Sequence, residues 1–130
     1  LDVVLKRYKL EPHRDSTVSA LAQGVRKLLD IAMAVVSKPR ILLLDEPTSG
    51  ISVEEKFDFM DIVMGALKED GVTVLFVEHD MEIVARYVSR VLAFYQGEII
   101  ADMPPKKALA DEKVQEFVIG KEHHKKRNRT

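Results

Sequence analysis

The sequence lacks cysteine and has no long run of apolar residues. Without cysteine, the chain can form neither a disulfide nor a thiolate metal site. No apolar stretch approaches the roughly 20 residues that a membrane-spanning helix requires, and no signal peptide is visible. Contacts with a ligand, a partner or a membrane must therefore be argued from local groups of residues.

An excess of charge of one sign is also missing. The chain has 20 basic and 21 acidic side chains, a formal charge of −1, so no global field attracts nucleic acid or anionic lipid. With 46% hydrophobic and 32% charged residues among 130, the composition is that of one small globular domain. The sequence opens on Leu1 inside an amphipathic segment, and we expect the chain to be a fragment.

Helix and strand signals alternate along the first half of the chain. After a loop at 11–16, apolar residues at helical spacing predict a helix from Leu21 to Val36, which ends before Pro39. The wholly apolar run 41–44 predicts a strand covered on both faces. These elements predict an α/β fold with a mainly parallel sheet and flanking helices.

A second helix and strand complete a predicted βαβ unit. Ser52 and Glu55 have the spacing of a capping box, and Gly71 is placed to stop the helix that follows them. The β-branched run 72–77 predicts the next strand. The crossover between the two strands should be right-handed.

The last third of the chain predicts a β-hairpin between short helices. We expect a helix over 81–88, two strands within 90–101 about the turn at Gly97, and helices near 106–109 and 112–118. The basic segment 121–130 is predicted to be a disordered tail. Its basic residues could contact acidic lipid or nucleic acid, although a solvated terminus is the interpretation that we favour.

Two carboxylates follow the first strand, where ligands bind in open α/β sheets. Asp45 could supply an oxygen ligand to a nucleotide-bound Mg²⁺, and Glu46 could polarise the attacking water. The second strand ends at Glu78 and His79, and His79 could donate a hydrogen bond to a γ-phosphate or to that water. A purely structural interpretation is that all of these residues are turn, cap or packing residues.

Four segments together resemble the motifs of ABC ATPases, in family order. Residues 21–25 and the following helix resemble the signature loop and helix, and 42–48 resembles the Walker B strand with its catalytic glutamate. Residues 49–52 resemble the D-loop and 77–80 the H-loop. The resemblance extends from about residue 19 to 120, and it implies the C-terminal part of a P-loop NTPase (ABC ATPase) fold over 1–120.

The resemblance implies ATP as the nucleotide, with Mg²⁺, and a sandwich dimer. In such a dimer the signature loop of one subunit closes on ATP held by the phosphate loop of the other. It assigns catalysis to Glu46 and His79 and the metal to Asp45. The residues that it implies at the nucleotide contact are Leu21, Ala22, Gln23, Gly24, Val25, Ser49, Gly50 and Ser52.

The signature and D-loop segments depart from the family pattern. Ala22, Gln23 and Val25 stand where the family usually has serine, glycine and glutamine. A backbone contact from Gly24 at the start of the helix is then what remains for a phosphate. Ser52 stands where aspartate is usual, so a weaker hydroxyl contact is expected there. The alternative for 21–36 is an amphipathic core helix without a ligand.

The phosphate-binding loop of this family is missing from the sequence. Its pattern, G-x-x-x-x-G-K-[ST], is matched nowhere, because of the six glycines only Gly120 precedes a lysine. The glutamine-bearing segment that couples the ATP site to a membrane partner is missing as well. We therefore expect the chain alone to be inactive in ATP hydrolysis, and to act only as part of a full-length subunit.

The ending, 114–120, is similar to that of ATPase subunits of branched-chain amino-acid importers. This resemblance implies a second ATPase subunit, identical or not, and transmembrane permease subunits as partners, with no nucleic acid. It also implies a cytoplasmic protein, peripheral on the inner face of the cell membrane. Two alternatives stay open: the C-terminal lobe of a split chromosome-maintenance or repair ATPase, and a non-catalytic binding module. The lack of heptads in 1–20 disfavours the first, and intact Glu46 and His79 disfavour the second.

Overall fold

The computed structural model describes residues 1–120, so the predicted tail at 121–130 lies outside the described residues. The chain divides into two compact units, with the boundary along the sequence between Glu78 and His79. The first unit contains helices α1 (Asp2–Arg7), α2 (Gln23–Val36) and α3 (Lys56–Glu69), and strands β1 (Ile41–Asp45) and β2 (Thr73–Val77). The second contains α4 (Met81–Tyr87), β3 (Val91–Tyr95), β4 (Glu98–Met103), α5 (Pro105–Ala110) and α6 (Glu112–Val114).

The first unit is built on the predicted βαβ arrangement. Strands β1 and β2 are parallel, with Leu43 facing Leu75 and Asp45 facing Val77, and α3 connects them. Helix α2 packs against α3 through the apolar stripe that its sequence predicts. The buried hydrophobic residues of this unit are Tyr8, Leu10, Leu21, Leu28, Ile31, Ala32, Val35, Leu42, Phe59, Met60, Val63, Ala66 and Leu67.

The prediction that β1 is covered on both faces is wrong for this chain. Leu42 is buried, but Ile41 and Leu43 are 62% and 69% exposed, and Leu75 and Val77 on β2 are 56% and 55% exposed. Because side chains alternate along a strand and the two strands are in register, these exposed residues share one face of the sheet. The opposite face is the one that carries the packed residues, so the described part of the chain covers the sheet on one side only.

The predicted capping box before α3 is also wrong in its geometry. The helix begins at Lys56 rather than after Ser52, and the side chain of Glu55 makes no cap bond. Instead, the Ser52 hydroxyl donates to the Glu55 carboxylate at 2.8 Å, in an exposed turn that precedes the helix. The end of α3 is as predicted, because Gly71 adopts the left-handed φ of +65° that favours glycine.

The second unit is organised around the hairpin β3–β4. The turn at Gln96 and Gly97 has positive φ at both residues, and a bulge at Ile100 of β4 shifts the register of the strands between Ala93 and Phe94. Helices α5 and α6 pack on the hairpin, where Ala93, Ala101 and Val114 form a small core. Helix α6 continues into a π-helical turn at Gln115–Ile119, so the last helix runs to 119 as two short segments.

Among residues 1–120, none of the helices has both the length and the apolar character needed to cross a bilayer.

Candidate functional site

The first strand delivers two adjacent carboxylates to the end of the sheet. Asp45 is the last residue of β1 and is exposed, on the same face as Val77. The backbone then turns sharply, because Glu46 has a φ of +45°. The N–H of Glu46 still donates to the carbonyl of Val77 at 2.9 Å, which fixes its backbone at the carboxyl end of both strands. Asp45 and Glu46 therefore lie together at one edge of the sheet, as predicted.

The loop at 46–50 is closed by bonds of its own. The N–H of Ser49 donates to the carbonyl of Glu46 at 3.0 Å, and that of Ile51 donates to Thr48 at 3.1 Å. The loop ends at Gly50, whose φ of +76° is in the left-handed region that favours glycine. Successive tight turns of this kind hold the backbone of Glu46 in one conformation.

A buried threonine joins this loop to the end of the second strand. Thr48 is 8% exposed, and its hydroxyl donates to a carboxylate oxygen of Glu78 at 2.9 Å. A hydrogen bond to an ionised carboxylate is stronger than one between neutral groups. The Glu78 side chain therefore holds the loop in place, a role that its position at a strand end does not reveal.

Helix α2 contacts the same loop from another direction. The ammonium group of Lys27 donates to the carbonyl of Pro47 at 3.1 Å and also to the carbonyl of Ser49. At Gly50 the approach is so close that a methyl group there would lie 2.3 Å from Nε2 of Gln23. The backbone conformation is what favours glycine at position 50, because the exposed and flexible end of the Gln23 side chain can move away from an added methyl group.

The residues at the start of α2 are surrounded by open space. Leu21 is buried, and Ala22 is the N-cap residue and makes no side-chain cap bond. The N–H groups of the first helical turn, at Gln23, Gly24 and Val25, point out of the helix end, as they do at any helix N-terminus. A methyl group added to Gly24 would meet nothing within 4 Å, so packing within the chain does not require glycine there.

The second strand end has a different character. His79 directly follows Glu78, is exposed, and is the first residue of the second unit. Asp80 accepts hydrogen bonds from the N–H groups of Glu82 and Ile83, at 3.0 and 3.4 Å, and so caps α4. The grouping of His79 with Asp45 and Glu46 stays a prediction.

Of the residues assigned to the nucleotide contact, the first unit brings together Gln23, Ser49 and Gly50, beside Asp45 and Glu46. Ser52 lies beyond them in the chain, engaged with Glu55. Within the described residues, no cluster of three or more histidine or acidic side chains could enclose a metal ion. A single exposed carboxylate such as Asp45 suits Mg²⁺, which keeps several waters and binds phosphate oxygens, better than it suits a metal caged by protein.

Sequence reasoning missed the contacts that three residues of this site make: Lys27, Thr48 and Glu78. One signal could have found Lys27, because it lies one helical turn before Ile31, at the edge of the apolar stripe of α2. A lysine in that place needs a polar partner, since burial of an unpaired charge is costly. No pattern in the sequence pairs Thr48 with Glu78, which are 30 residues apart.

Comparison with known proteins agrees with the resemblance noted in the motifs. The sequence model of the ABC transporter family matches residues 1–49. The energy-coupling factor transporter ATP-binding protein EcfA3 of Clostridium perfringens is 32% identical over 114 residues, which are 88% of this chain and 40% of that protein.

Two solved structures share the fold of the chain. The ADP conformation of MJ1267, an ATP-binding cassette of an ABC transporter, matches with a TM-score of 0.80 and 32% identity, over 91% of this chain and 48% of that one. The protein cbiO1 of Clostridium perfringens, part of the ABC transporter complex cbiONQ, matches with a TM-score of 0.78 and 33% identity, over 87% and 45%. The chain spans less than half the length of each of these relatives. The likeness to the two solved structures confirms the predicted P-loop NTPase fold of the ABC ATPase type.

Proposed function

We propose, from this ABC ATPase fold, that the chain is the C-terminal part of the ATP-binding and ATP-hydrolysing subunit of an ABC transporter, with 1–120 as the part that belongs to the ATPase domain. The observation that carries the proposal is the loop at 46–50, which hydrogen bonds hold in place. It holds Glu46 at the carboxyl end of a parallel sheet, where nucleotides bind in α/β folds, and beside the N-terminus of α2.

Each residue at the sheet edge has a proposed role. Glu46 orients and deprotonates the attacking water, and His79 donates a hydrogen bond to the γ-phosphate or to that water. Asp45 would hold Mg²⁺ through its exposed carboxylate, a hard oxygen ligand of the kind that this ion prefers. When bound, Mg²⁺ neutralises charge on the phosphate oxygens. The exposure of Asp45 and its position at the end of β1 are compatible with this role.

The start of α2 is proposed to contact a nucleotide held by a second ATPase subunit. Leu21, Ala22, Gln23, Gly24 and Val25 would form the contact, with backbone N–H groups directed at the γ-phosphate because the side chains offer little. Exposed N–H groups and the helix dipole make a helix N-terminus favourable for an anion. The open space around Gly24 supports this proposal. Ser49, Gly50 and Ser52 would meet the partner subunit.

The phosphate-binding loop would come from outside these residues, since the chain has no G-x-x-x-x-G-K-[ST] sequence. The chain by itself would then bind ATP weakly and not hydrolyse it. Hydrolysis would take place in the full-length subunit, whose proposed partners are a second ATPase subunit and transmembrane permease subunits, at the cytoplasmic face of the membrane.

We propose that the complete transporter is an importer of branched-chain amino acids, because residues 114–120 are similar to the ends of the ATPase subunits of such importers. A second candidate is an energy-coupling factor transporter, which the 32% identity to EcfA3 favours. Uptake of labelled leucine or valine into vesicles that contain the complete transporter distinguishes the two. If the transporter hydrolyses ATP but takes up neither amino acid, its assignment as a branched-chain amino-acid importer would be refuted.

The test of the catalytic proposal is Glu46→Gln in the full-length subunit with its partners. The amide keeps the size of the side chain but loses its basicity, so phosphate release should fall about 10²–10⁴-fold, the usual worth of a general base. ATP binding should survive, and ATP-dependent dimers should accumulate in size-exclusion chromatography. Near-normal turnover would return Glu46 to the status of a turn residue.

A further inference from the structure

Lys27 joins helix α2 to the loop that carries Glu46. Its ammonium group donates to two carbonyls of one short loop, those of Pro47 and Ser49. The lysine is half-buried, at the edge of the apolar stripe that includes Leu28 and Ile31. A charge in that place loses much of its water, and the two carbonyl acceptors replace the lost hydrogen bonds.

The loop needs such contacts because its backbone is unfavourable by itself. Glu46 is a non-glycine residue with left-handed φ, and Gly50 has left-handed φ as well. A backbone of this kind persists only where its surroundings impose it. Gln23 contacts the loop at Gly50 and Thr48 bonds to Glu78. Lys27 bonds to the carbonyls of Pro47 and Ser49, the first and third residues after Glu46.

We propose that Lys27 is a positioning residue for Glu46. It does not reach the reacting atoms; it fixes the backbone from Pro47 to Ser49, and through it the direction of the Glu46 carboxylate. The catalytic part of this inference rests on the proposed function, whereas the clamp on the loop does not. A rigid support matters because a displacement of a catalytic group by about 1 Å can lower a rate by about 100-fold.

Two substitutions separate the donor from the rest of the side chain. Lys27→Met keeps an unbranched apolar side chain of similar length and removes every donor. Lys27→Arg keeps a positive charge and several donors that can reach both carbonyls. The matched control is Lys68→Met, which removes an exposed lysine from α3, away from the loop.

The first measurement is hydrogen exchange of the backbone amides in peptides that cover 46–51, in the full-length subunit without nucleotide. Loss of the clamp should let the loop open more often. Exchange of Glu46, Ser49 and Ile51 should then be on the order of tenfold faster in Lys27→Met, with most of the protection restored in Lys27→Arg. Unchanged exchange in Lys27→Met would overturn the clamp, whatever the activity of the protein.

The second measurement is the steady-state kinetics of ATP hydrolysis by the full-length subunit with its partners. The kcat of Lys27→Met should fall by roughly 10- to 100-fold with little change in KM, and Lys27→Arg should recover most of it. Faster exchange with normal kcat, or a loss shared equally by Lys68→Met, would overturn the positioning role. If the wild-type subunit hydrolyses no ATP, the proposed function fails, and the exchange data still decide whether Lys27 clamps the loop.

Discussion

The two units of the chain use their polar side chains in different ways. In the first, Lys27 reaches Pro47 and Thr48 reaches Glu78, across 20 and 30 residues of sequence. In the second, apart from the pair of Arg90 and Asp102 across the hairpin, Asp80 and Asp111 bond to N–H groups two or three residues ahead and cap the helices that they precede. Long-range bonds impose a tertiary geometry on a loop, whereas short-range bonds decide where a helix begins.

This difference separates a region suited to chemistry from one suited to support. A catalytic group must be held by contacts that its own segment cannot provide, and the loop at 46–50 has such contacts. The caps in the second unit stabilise structure that the local sequence already favours. His79 is the proposed exception, because it belongs to the second unit but is assigned to the reaction.

The strongest test of the comparison is removal of His79. If its ring donates to the γ-phosphate or to the attacking water, His79→Ala should lower ATP turnover by about 10²–10³-fold, the usual worth of one such donor. Phosphate release by the full-length subunit with its partners measures this. Glu78→Gln is the control, since an amide oxygen can still accept from Thr48, and its turnover should stay near wild type. Equal turnover in the two variants would mean that His79, like Glu78, has only a structural role.

Loss of the Thr48 hydroxyl should have a smaller effect, divided between activity and stability. Thr48→Val keeps the shape but removes the donor to Glu78, so the free energy of unfolding should fall by about 1–2 kcal/mol. Turnover should fall by roughly tenfold through the displaced loop. Urea denaturation and phosphate release measure the two effects, and Thr48→Ser, which keeps the hydroxyl, should retain most of both. A stability loss in Thr48→Val with unchanged turnover would mean that the bond only supports the fold.

The cap at Asp80 should affect stability alone. Asp80→Ala removes the acceptor for the first turn of α4, and such a change typically lowers the free energy of unfolding by about 1 kcal/mol. Asp80→Asn keeps an acceptor and should lose far less. Urea denaturation of both variants makes the comparison, and equal losses would show that the charge of Asp80, rather than its cap bond, is what matters.

The smallest effect is expected at the ion pair of Arg90 and Asp102. The hydrogen bond from Arg90, together with its charge, lowers the pKa of Asp102. The pair therefore stabilises the folded chain above the ordinary carboxyl pKa of about 3.9, and this contribution is lost as the pH falls through the lowered pKa. Both side chains are exposed, so the contribution is small. In Arg90→Gln, an NMR titration should give Asp102 an ordinary pKa, and an unchanged pKa would contradict the assignment.

The parts of the fold that depend on local sequence were predictable. Helical spacing predicted α2 and α3, Gly71 marked the end of α3, and Gly97 marked the hairpin turn. The location of Asp45 and Glu46 followed from the end of an apolar strand. Each of these features depends on residues within a few positions of one another, which is the range that periodicity and turn preferences describe.

Features that depend on distant residues could not be read from the sequence. The apolar run of β1 does not reveal which face is covered, and Leu43 proved to be exposed. The start of α3 is a local exception, because Ser52 and Glu55 have the spacing of a cap but bond to each other before the helix starts. The target of Lys27 and the pairing of Thr48 with Glu78 depend on how α2, β1 and β2 pack together.

Because the backbone at Glu46 is left-handed, selection for stability and selection for activity favour different residues at this position. A left-handed conformation costs a residue with a side chain about 1–2 kcal/mol more than it costs glycine. The backbone alone would therefore favour glycine at position 46, as it does at Gly50, while the proposed chemistry retains the carboxylate. Variants selected only for resistance to heat should drift toward glycine or asparagine here, and variants selected for transport should not.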